Sequence, residues 1–288
     1  MGRSSSGAIS RGLAALARLQ SGDGSFPLFR RAGTGDWHRC GGLFSTAYVM
    51  LGAGGLLPRE NTLRAAAFIL GQRRPDGLWE YDPALGIPPD ADSTACALAA
   101  LALQGMTAPL AGGADLLRSF WREGGGPFRT WRAGGKWSLP ERDEAVVNCN
   151  ILLALRLLGA PATPSEEATV VDLLQRTPGP ARYYCAAATM AHAARRAGLG
   201  WEQLPAVATA RPPADDLIGS AQWLCASPTA DAGLIDAVLG AQRPDGRWPI
   251  WPWVTGVGTP QPFWGGPAIT TALALEALSR HPDSSLKL

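Results

Sequence analysis

Gln242-Arg-Pro-Asp245-Gly246-Arg-Trp248 decides how the rest of the chain is read, because its pattern occurs twice more. The other copies are Gln20-Ser-Gly-Asp23-Gly24-Ser-Phe26 and Gln72-Arg-Arg-Pro-Asp76-Gly77-Leu-Trp79. Each follows a helix-like run ending in an aliphatic or small residue, AAAFILGQ before the second copy and IDAVLGAQ before the third. The first two lie about fifty residues apart, and the third stands close to three more periods on, with weaker copies around Trp121–Phe128 and Gln175–Tyr184. A period of that length marks a supersecondary unit that cannot bury its apolar face alone and stacks on its neighbours.

Between the loops the spacing of apolar residues predicts twelve helices in two alternating sets. One set covers about 6–19, 60–71, 112–121, 165–176, 200–209 and 230–241; the other covers about 43–54, 92–105, 142–159, 182–198, 214–226 and 267–280. The second set is apolar nearly all round, as in STACALAALAL and ITTALALEAL. A helix without a polar face must be covered on most sides. Six such helices inside six amphipathic ones make an all-α fold, an (α/α)6 barrel of two concentric rings. Gly and Pro punctuate the connections and no linker divides the chain, so residues 1–288 read as one domain. In each loop the Gln is placed to bond backbone groups at a helix end, while Asp-Gly makes the turn with Gly at positive φ. Gln20, Gln72, Gln242, Trp79 and Trp248 are therefore expected to staple the fold rather than form a site.

Composition narrows the function classes. The chain is 46% hydrophobic and 17% charged with a net charge of +2, which supplies a large core and no basic footprint for nucleic acid. The five cysteines (Cys40, Cys96, Cys149, Cys185, Cys225) are odd in number and widely spaced, so they frame neither disulfides nor a zinc site and fit a reducing, cytoplasmic compartment. No apolar run reaches the length of a membrane span. No P-loop, GxGxxG or GxSxG occurs.

The repeated loops resemble the QW motifs of the squalene-hopene cyclase, oxidosqualene cyclase and class II terpene cyclase superfamily, which is related to protein prenyltransferase β subunits. The resemblance runs from Gln20 to the last helix and matches one barrel domain, where triterpene cyclases carry two. In that family an Asp in a DxDD-T-A motif protonates an alkene or epoxide. The matching stretch here is Asp90-Ala91-Asp92-Ser93-Thr94-Ala95. The resemblance puts the acid at Asp92 and departs at Ser93, where many members carry another Asp. It implies a protonation-initiated terpene or meroterpenoid cyclase with a hydrophobic isoprenoid substrate. Such a ligand leaves peripheral membrane contact open.

An Asp that holds its proton near neutral pH needs burial and a second carboxylate nearby. Asp90 can be that carboxylate. Ser93, Asn148, Cys149, His192 and Asp143 are candidates for tuning the acid or lining a polar part of the cavity. Asn148 and Asn150, amides inside an apolar helix, need partners in the cavity or across helices. A cation formed inside calls for π faces and no water; Trp37, Phe44, Tyr48, Trp131, Trp137, Tyr183, Trp251, Trp253, Phe263 and Trp264 can supply them. The other reading of Asp90 and Asp92 is plainer, since Asp before an apolar helix is an N-cap and complements the helix dipole. The segment 248–264 reads equally as a rim cover or a substrate gate.

Asp215-Asp216-Leu-Ile-Gly lacks the second acidic position of a magnesium-binding DDxxD, so no metal cofactor is expected and Mg²⁺ would serve only to bind a substrate diphosphate. Two other functions stay open: a non-catalytic isoprenoid or lipid binder, and a glycosidase using two facing carboxylates such as Asp92 and Asp143.

Overall fold

The computed structural model describes residues 4–81, 88–106, 108–131, 143–177, 179–256 and 259–282. Trp137 lies outside the described residues. The apolar set forms α2 (Leu43–Ala53), α4 (Ala91–Leu103), α6 (Ala145–Leu157), α8 (Ala188–Ala197), α10 (Leu217–Ala226) and α12 (Pro267–Arg280). Each packs against the next, and α12 closes on α2, so the six make a continuous ring. Every residue of α10 is buried, as the absence of a polar face requires. The amphipathic set forms α1 (Ser5–Leu19), α3 (Arg59–Gly71), α5 (Gly113–Arg118), α7 (Pro164–Arg176), α9 (Ala206–Thr209) and α11 (Ala232–Gly240). These pack on the outside; α1 lies on α12 and α3 touches both α2 and α4.

Several helices are shorter than their periodicity suggests, and three of them show the cause. The segment 200–209 splits into a 3-10 turn at Trp201–Gln203 and the one-turn α9, because Pro205 between them has no N–H to continue a helix. Helix α8 starts late because Tyr184 is drawn into a β-bridge with Val254. Helix α6 starts at Ala145, where the Glu144 side chain accepts the Val146 N–H.

The fold is mostly helical, and the all-α expectation is corrected by a four-stranded antiparallel sheet. Strands β1 (Leu28–Ala32), β2 (His38–Cys40), β3 (Pro252–Thr255) and β4 (Pro262–Gly265) take the order β2-β1-β4-β3. Segment 248–264 thus supplies the antiparallel pair β3 and β4. It escapes periodicity because strands this short barely alternate, and its prolines read as loop; Pro252 and Pro262 open their strands, where a missing N–H is tolerated. Cys40 and Gly265 run directly into α2 and α12, so the sheet sits at the N-terminal ends of those ring helices.

The repeat loops show why the pattern recurs. Gln20 Nε2 donates to the Gly24 carbonyl (2.9 Å) and across to the Asn61 carbonyl at the start of α3 (2.8 Å). Gln242 Nε2 does the same to Gly246 (2.9 Å) and Ala8 (2.8 Å). In the middle copy the expected Gln72 is replaced in this role by Arg73. Its guanidinium bonds the Gly77 carbonyl (3.4 Å) and the Pro109 carbonyl (2.8 Å), and lies over the Trp79 ring at 5.4 Å. Counting back from Asp-Gly rather than from Gln gives this register, since Arg73 precedes Asp76 by the same three positions as Gln20 precedes Asp23. Each loop aromatic then hands its backbone N–H to a ring-helix side chain: Phe26 to Thr46, Trp79 to Thr94, Phe128 to Asn148 and Trp248 to Thr271. The glycine is obligatory on two counts. Gly24 and Gly246 hold φ of 92° and 88°, and an added Cβ would collide with the carbonyls of Arg64 and Arg11.

Candidate active site

Helix α4 begins where the second repeat loop delivers the chain into the ring. Asp90, in extended conformation, donates its N–H to the Trp79 carbonyl (3.3 Å), and Ala91 N–H reaches Thr130 (2.9 Å). The Asp90 carboxylate caps the helix, accepting both the N–H and the hydroxyl of Ser93 at 2.7 Å. The cap reading of Asp90 thus describes its geometry, and Ser93 is its partner.

Asp92 does something else. Its side chain leaves the first turn of α4 and crosses to two other ring elements. Asn150 Nδ2 on α6 donates to Oδ1 (2.8 Å), and the Tyr184 hydroxyl, just before α8, donates to Oδ2 (2.6 Å). Cys96, one turn on along α4, brings its thiol to 3.9 Å of Oδ1. Asp92 is 9% exposed and Asp90 3%. Burial raises the Asp92 pKa, while its three donors pull the other way. Burial and the neighbouring Asp92 push Asp90 up to about 7. Two carboxyls in one desolvated spot favour retention of a proton between them. The donors are placed to stabilise the carboxylate once that proton leaves. Burial also holds the Tyr184 hydroxyl well above its usual range, so it stays a donor.

A row of rings runs away from the carboxyl. Tyr184 meets Trp253 at 5.8 Å between centroids; Trp253 stacks on Phe44 (5.3 Å) and meets Tyr48 (4.3 Å); Phe44 touches Tyr81 (5.0 Å), which is edge-on to Trp264 (6.1 Å). Phe44, Tyr48, Trp253 and Trp264 are therefore gathered by the structure. The other anticipated aromatics lie elsewhere. Trp37 is half-buried at an outer cleft of about 230 Å³ shared with Arg243 and Pro267, under the Arg31 guanidinium (4.8 Å). Phe263 flanks the same guanidinium at 5.5 Å. Trp131 is half-buried and bridges Asp90 through its backbone. Tyr183 lies against Arg182, and its carbonyl takes the Thr255 N–H. Trp251 bonds Asp216.

The polar candidates also divide. Asn148 is a staple, bonding both backbone groups of Phe128 and the Glu144 carbonyl. The thiol beside Asp92 is that of Cys96, whereas buried Cys149 feels Glu144. Asp143 pairs with Arg122 (2.5 Å) beside an outer cleft of about 430 Å³, rather than facing Asp92 as a two-carboxylate glycosidase needs. Its neighbour Glu144 is the buried acid there, raised to about 7 by desolvation. Fully buried His192 contacts Glu276 (3.2 Å) and not Asp92. Glu276 is further bound by Arg196 (2.5 Å) and Arg280 (3.1 Å), and His192 is lowered to about 4 by burial and Arg196. Among the described residues, His192, Cys225 and Glu276 bring ligand atoms within 4.8 Å of one another. Two guanidiniums already occupy that carboxylate, and they oppose a further cation. Asp216 of the Asp-Asp pair is the N-cap of α10, accepting the Gly219 N–H at 2.9 Å.

Tyr184, Tyr81 and Cys96 are the contributors that sequence reading overlooked. Cys96 stands four residues after Asp92, a spacing that puts both on one helix face. Nothing in Arg-Tyr-Tyr-Cys distinguishes Tyr184 from Tyr183, because only the strand pairing with Val254 decides which ring turns inward.

No family model matches the chain, and no curated protein matches it. Among solved structures the chain is similar to the type II terpene cyclase MstE from Scytonema, with TM-score 0.71 and 19% identity over 96% of this chain and 97% of that one. An aspartate-to-asparagine variant of that enzyme, bound to its substrate geranylgeranyl dihydroxybenzoate, gives TM-score 0.70 and 19% identity over 96% of each chain. An unsaturated glucuronyl hydrolase specific for heparin shares the fold more distantly, with TM-score 0.54 and 11% identity over 96% of each chain. At these identities the likeness is one of fold. Among the described residues no helix is long and apolar enough to cross a membrane.

Proposed function

We propose that this protein is a protonation-initiated (class II-type) terpene or meroterpenoid cyclase built on an (α/α)6 barrel, with Asp92 as the Brønsted acid. The observation that carries the reading is the placement of Asp92: buried, aimed across the ring, and held by Asn150 and Tyr184 at the head of a row of aromatic rings. Asp92 gives its proton to one carbon of a terminal alkene, or to an epoxide oxygen. The cation left on the substrate is attacked by the next double bond, and closure ends when a proton is lost from carbon. The Tyr184 O–H and Asn150 N–H bind the carboxylate that remains on Asp92, and the ring faces stabilise each positive centre. The chemical step asks for no metal, and Mg²⁺ would assist only in holding a substrate diphosphate. Similarity to MstE supports the same class of chemistry, and its isoprenoid substrate supports a hydrophobic ligand here.

The test is Asp92→Asn offered polyprenyl alkenes and epoxides. Turnover is expected to vanish with the helical circular dichroism intact; a variant that still cyclises would end the proposal. Prenyl ligand held unchanged by the wild type over long incubation would instead favour a binding protein.

A further inference from the structure

We infer that Glu144 is a positioning residue for the acid, tying the backbone that presents Tyr184 to the first turn of the helix that presents Asn150. This rests on the reading of Asp92 above and adds what keeps its two donors in place. Glu144 stands at the head of α6 and is 3% exposed. Its Oε1 accepts the Val146 N–H at 3.4 Å, and its Oε2 accepts the Arg182 N–H at 2.9 Å. The bond that leaves its own helix is the shorter of the two. Asp90, Thr163, Asp216 and Asp231, which cap α4, α7, α10 and α11, are short residues, as side-chain caps usually are. A short acceptor would cap α6 as well. The extra length of Glu carries the second oxygen across to Arg182, and desolvating a carboxyl is costly unless its bonds do more than start a helix.

Arg182 stands two residues before Tyr184, and the chain around that tyrosine is held from two sides. Glu144 holds it at Arg182. Strand β3 holds it at the neighbours of Tyr184, where the Thr255 N–H donates to the Tyr183 carbonyl (2.9 Å) and the Cys185 N–H to the Trp253 carbonyl (3.0 Å). Between these anchors the Tyr184 hydroxyl reaches Asp92 Oδ2 at 2.6 Å. On α6, Asn150 follows Val146 by one helical turn on the same face and reaches Asp92 Oδ1 at 2.8 Å. One carboxylate therefore fixes the two supports of Asp92 relative to each other. Hydrogen bonds weaken steeply once distance or angle slackens, so releasing Arg182 weakens the bond from Tyr184 without touching either partner. Burial pushes Glu144 up to about 7 against the pull of both N–H groups, and the charge of Asp92 adds to the rise, so the two carboxyls lie within electrostatic reach.

The experiment labels the four tyrosines with 3-fluorotyrosine and follows them by ¹⁹F NMR, with Tyr184→Phe identifying the Tyr184 signal. A fluorine beside the hydroxyl reports the bond to Asp92. Glu144→Gln offers one acceptor oxygen in place of two, and Glu144→Ala offers none. Both should shift or broaden the Tyr184 signal, Ala more than Gln, and leave those of Tyr48 and Tyr81 in place. Asp231→Ala, which removes the cap of outer helix α11, should lower the melting temperature and leave the Tyr184 signal unmoved. In turnover, Glu144→Gln should lower kcat by up to about tenfold, the effect of losing the Tyr184 bond outright, with KM within about twofold. The double variant Glu144→Gln/Tyr184→Phe should stay within about twofold of Tyr184→Phe alone, since the two act through one bond. A Tyr184 signal unmoved in Glu144→Ala, one moved as far by Asp231→Ala, or kcat losses that multiply in the double variant would overturn the inference. If wild type cyclises no polyprenyl substrate, the reading of Asp92 falls, and the fluorine signals still decide whether Glu144 holds Tyr184.

Discussion

Removing the Tyr184 hydroxyl should weaken Asp92 as an acid without dismantling its surroundings. Tyr184→Phe keeps the ring against Trp253, 5.8 Å away, and deletes a 2.6 Å hydrogen bond to Oδ2. That bond is present both to the protonated acid and to the carboxylate, so only the difference counts toward the rate. A bond to a neutral group is worth about 0.5–1.5 kcal/mol and one to a charged group about 1.5–3 kcal/mol, which leaves roughly 1–1.5 kcal/mol for the developing carboxylate. At about 1.4 kcal/mol per factor of ten, kcat should fall roughly tenfold. The donor lowers the Asp92 pKa, so its loss raises that pKa and shifts the alkaline limb of the kcat profile upward. Single-turnover rates across pH, with melting temperature as the control, give both readings. A kcat within twofold of wild type and an unmoved profile would refute the assignment of Tyr184 as a stabiliser of the conjugate base. A fall beyond about a thousandfold would instead make Tyr184 itself a proton donor.

Asp90→Asn keeps an N-cap that can accept the Ser93 N–H but cannot ionise. The wild-type carboxyl, raised to about 7, contributes stability that is complete below the ordinary carboxyl range and is lost as pH climbs to 7. The melting temperature of Asp90→Asn relative to wild type should therefore rise between pH 4 and 7, and parallel curves would contradict the burial argument. Gly246→Ala places a Cβ against the Arg11 carbonyl at a φ of 88°; denaturant titration should show a loss of about 1–3 kcal/mol, against little change for Gly22→Ala in open space. Arg73→Ala should lower stability by about 1–2 kcal/mol while Gln72→Ala, lacking the staple's bonds, should stay within about 0.5 kcal/mol; equal effects would undo the register assigned to the second loop.

Helical periodicity and the recurring Asp-Gly loop carry most of the architecture, because both are local: the apolar faces of α4 and α12 and the turn glycines are written in consecutive residues. The sheet is not local. Its strands β1 and β4 come from opposite ends of the chain, and neither is long enough to announce itself. The same division holds at the site. Asp90 and Asp92 stand together in sequence, and a cap and the proposed acid look alike there; the difference is that one side chain turns back onto Ser93 and the other crosses to Asn150 and Tyr184. His192 shows the converse. An inner-helix histidine looks like an acid's partner, but from the middle of α8 it faces Glu276 on α12, which Arg196 also binds.

The central claim, that the carboxyl of Asp92 starts a cyclisation, is tested most directly by running the reaction in D₂O over many turnovers with a polyprenyl alkene. Wild type should give a cyclised product with one deuterium at the carbon that was the terminal alkene, any diphosphate still attached, and Asp92→Asn should give none. A cyclised product without that deuterium, or one formed equally by Asp92→Asn, would contradict the account.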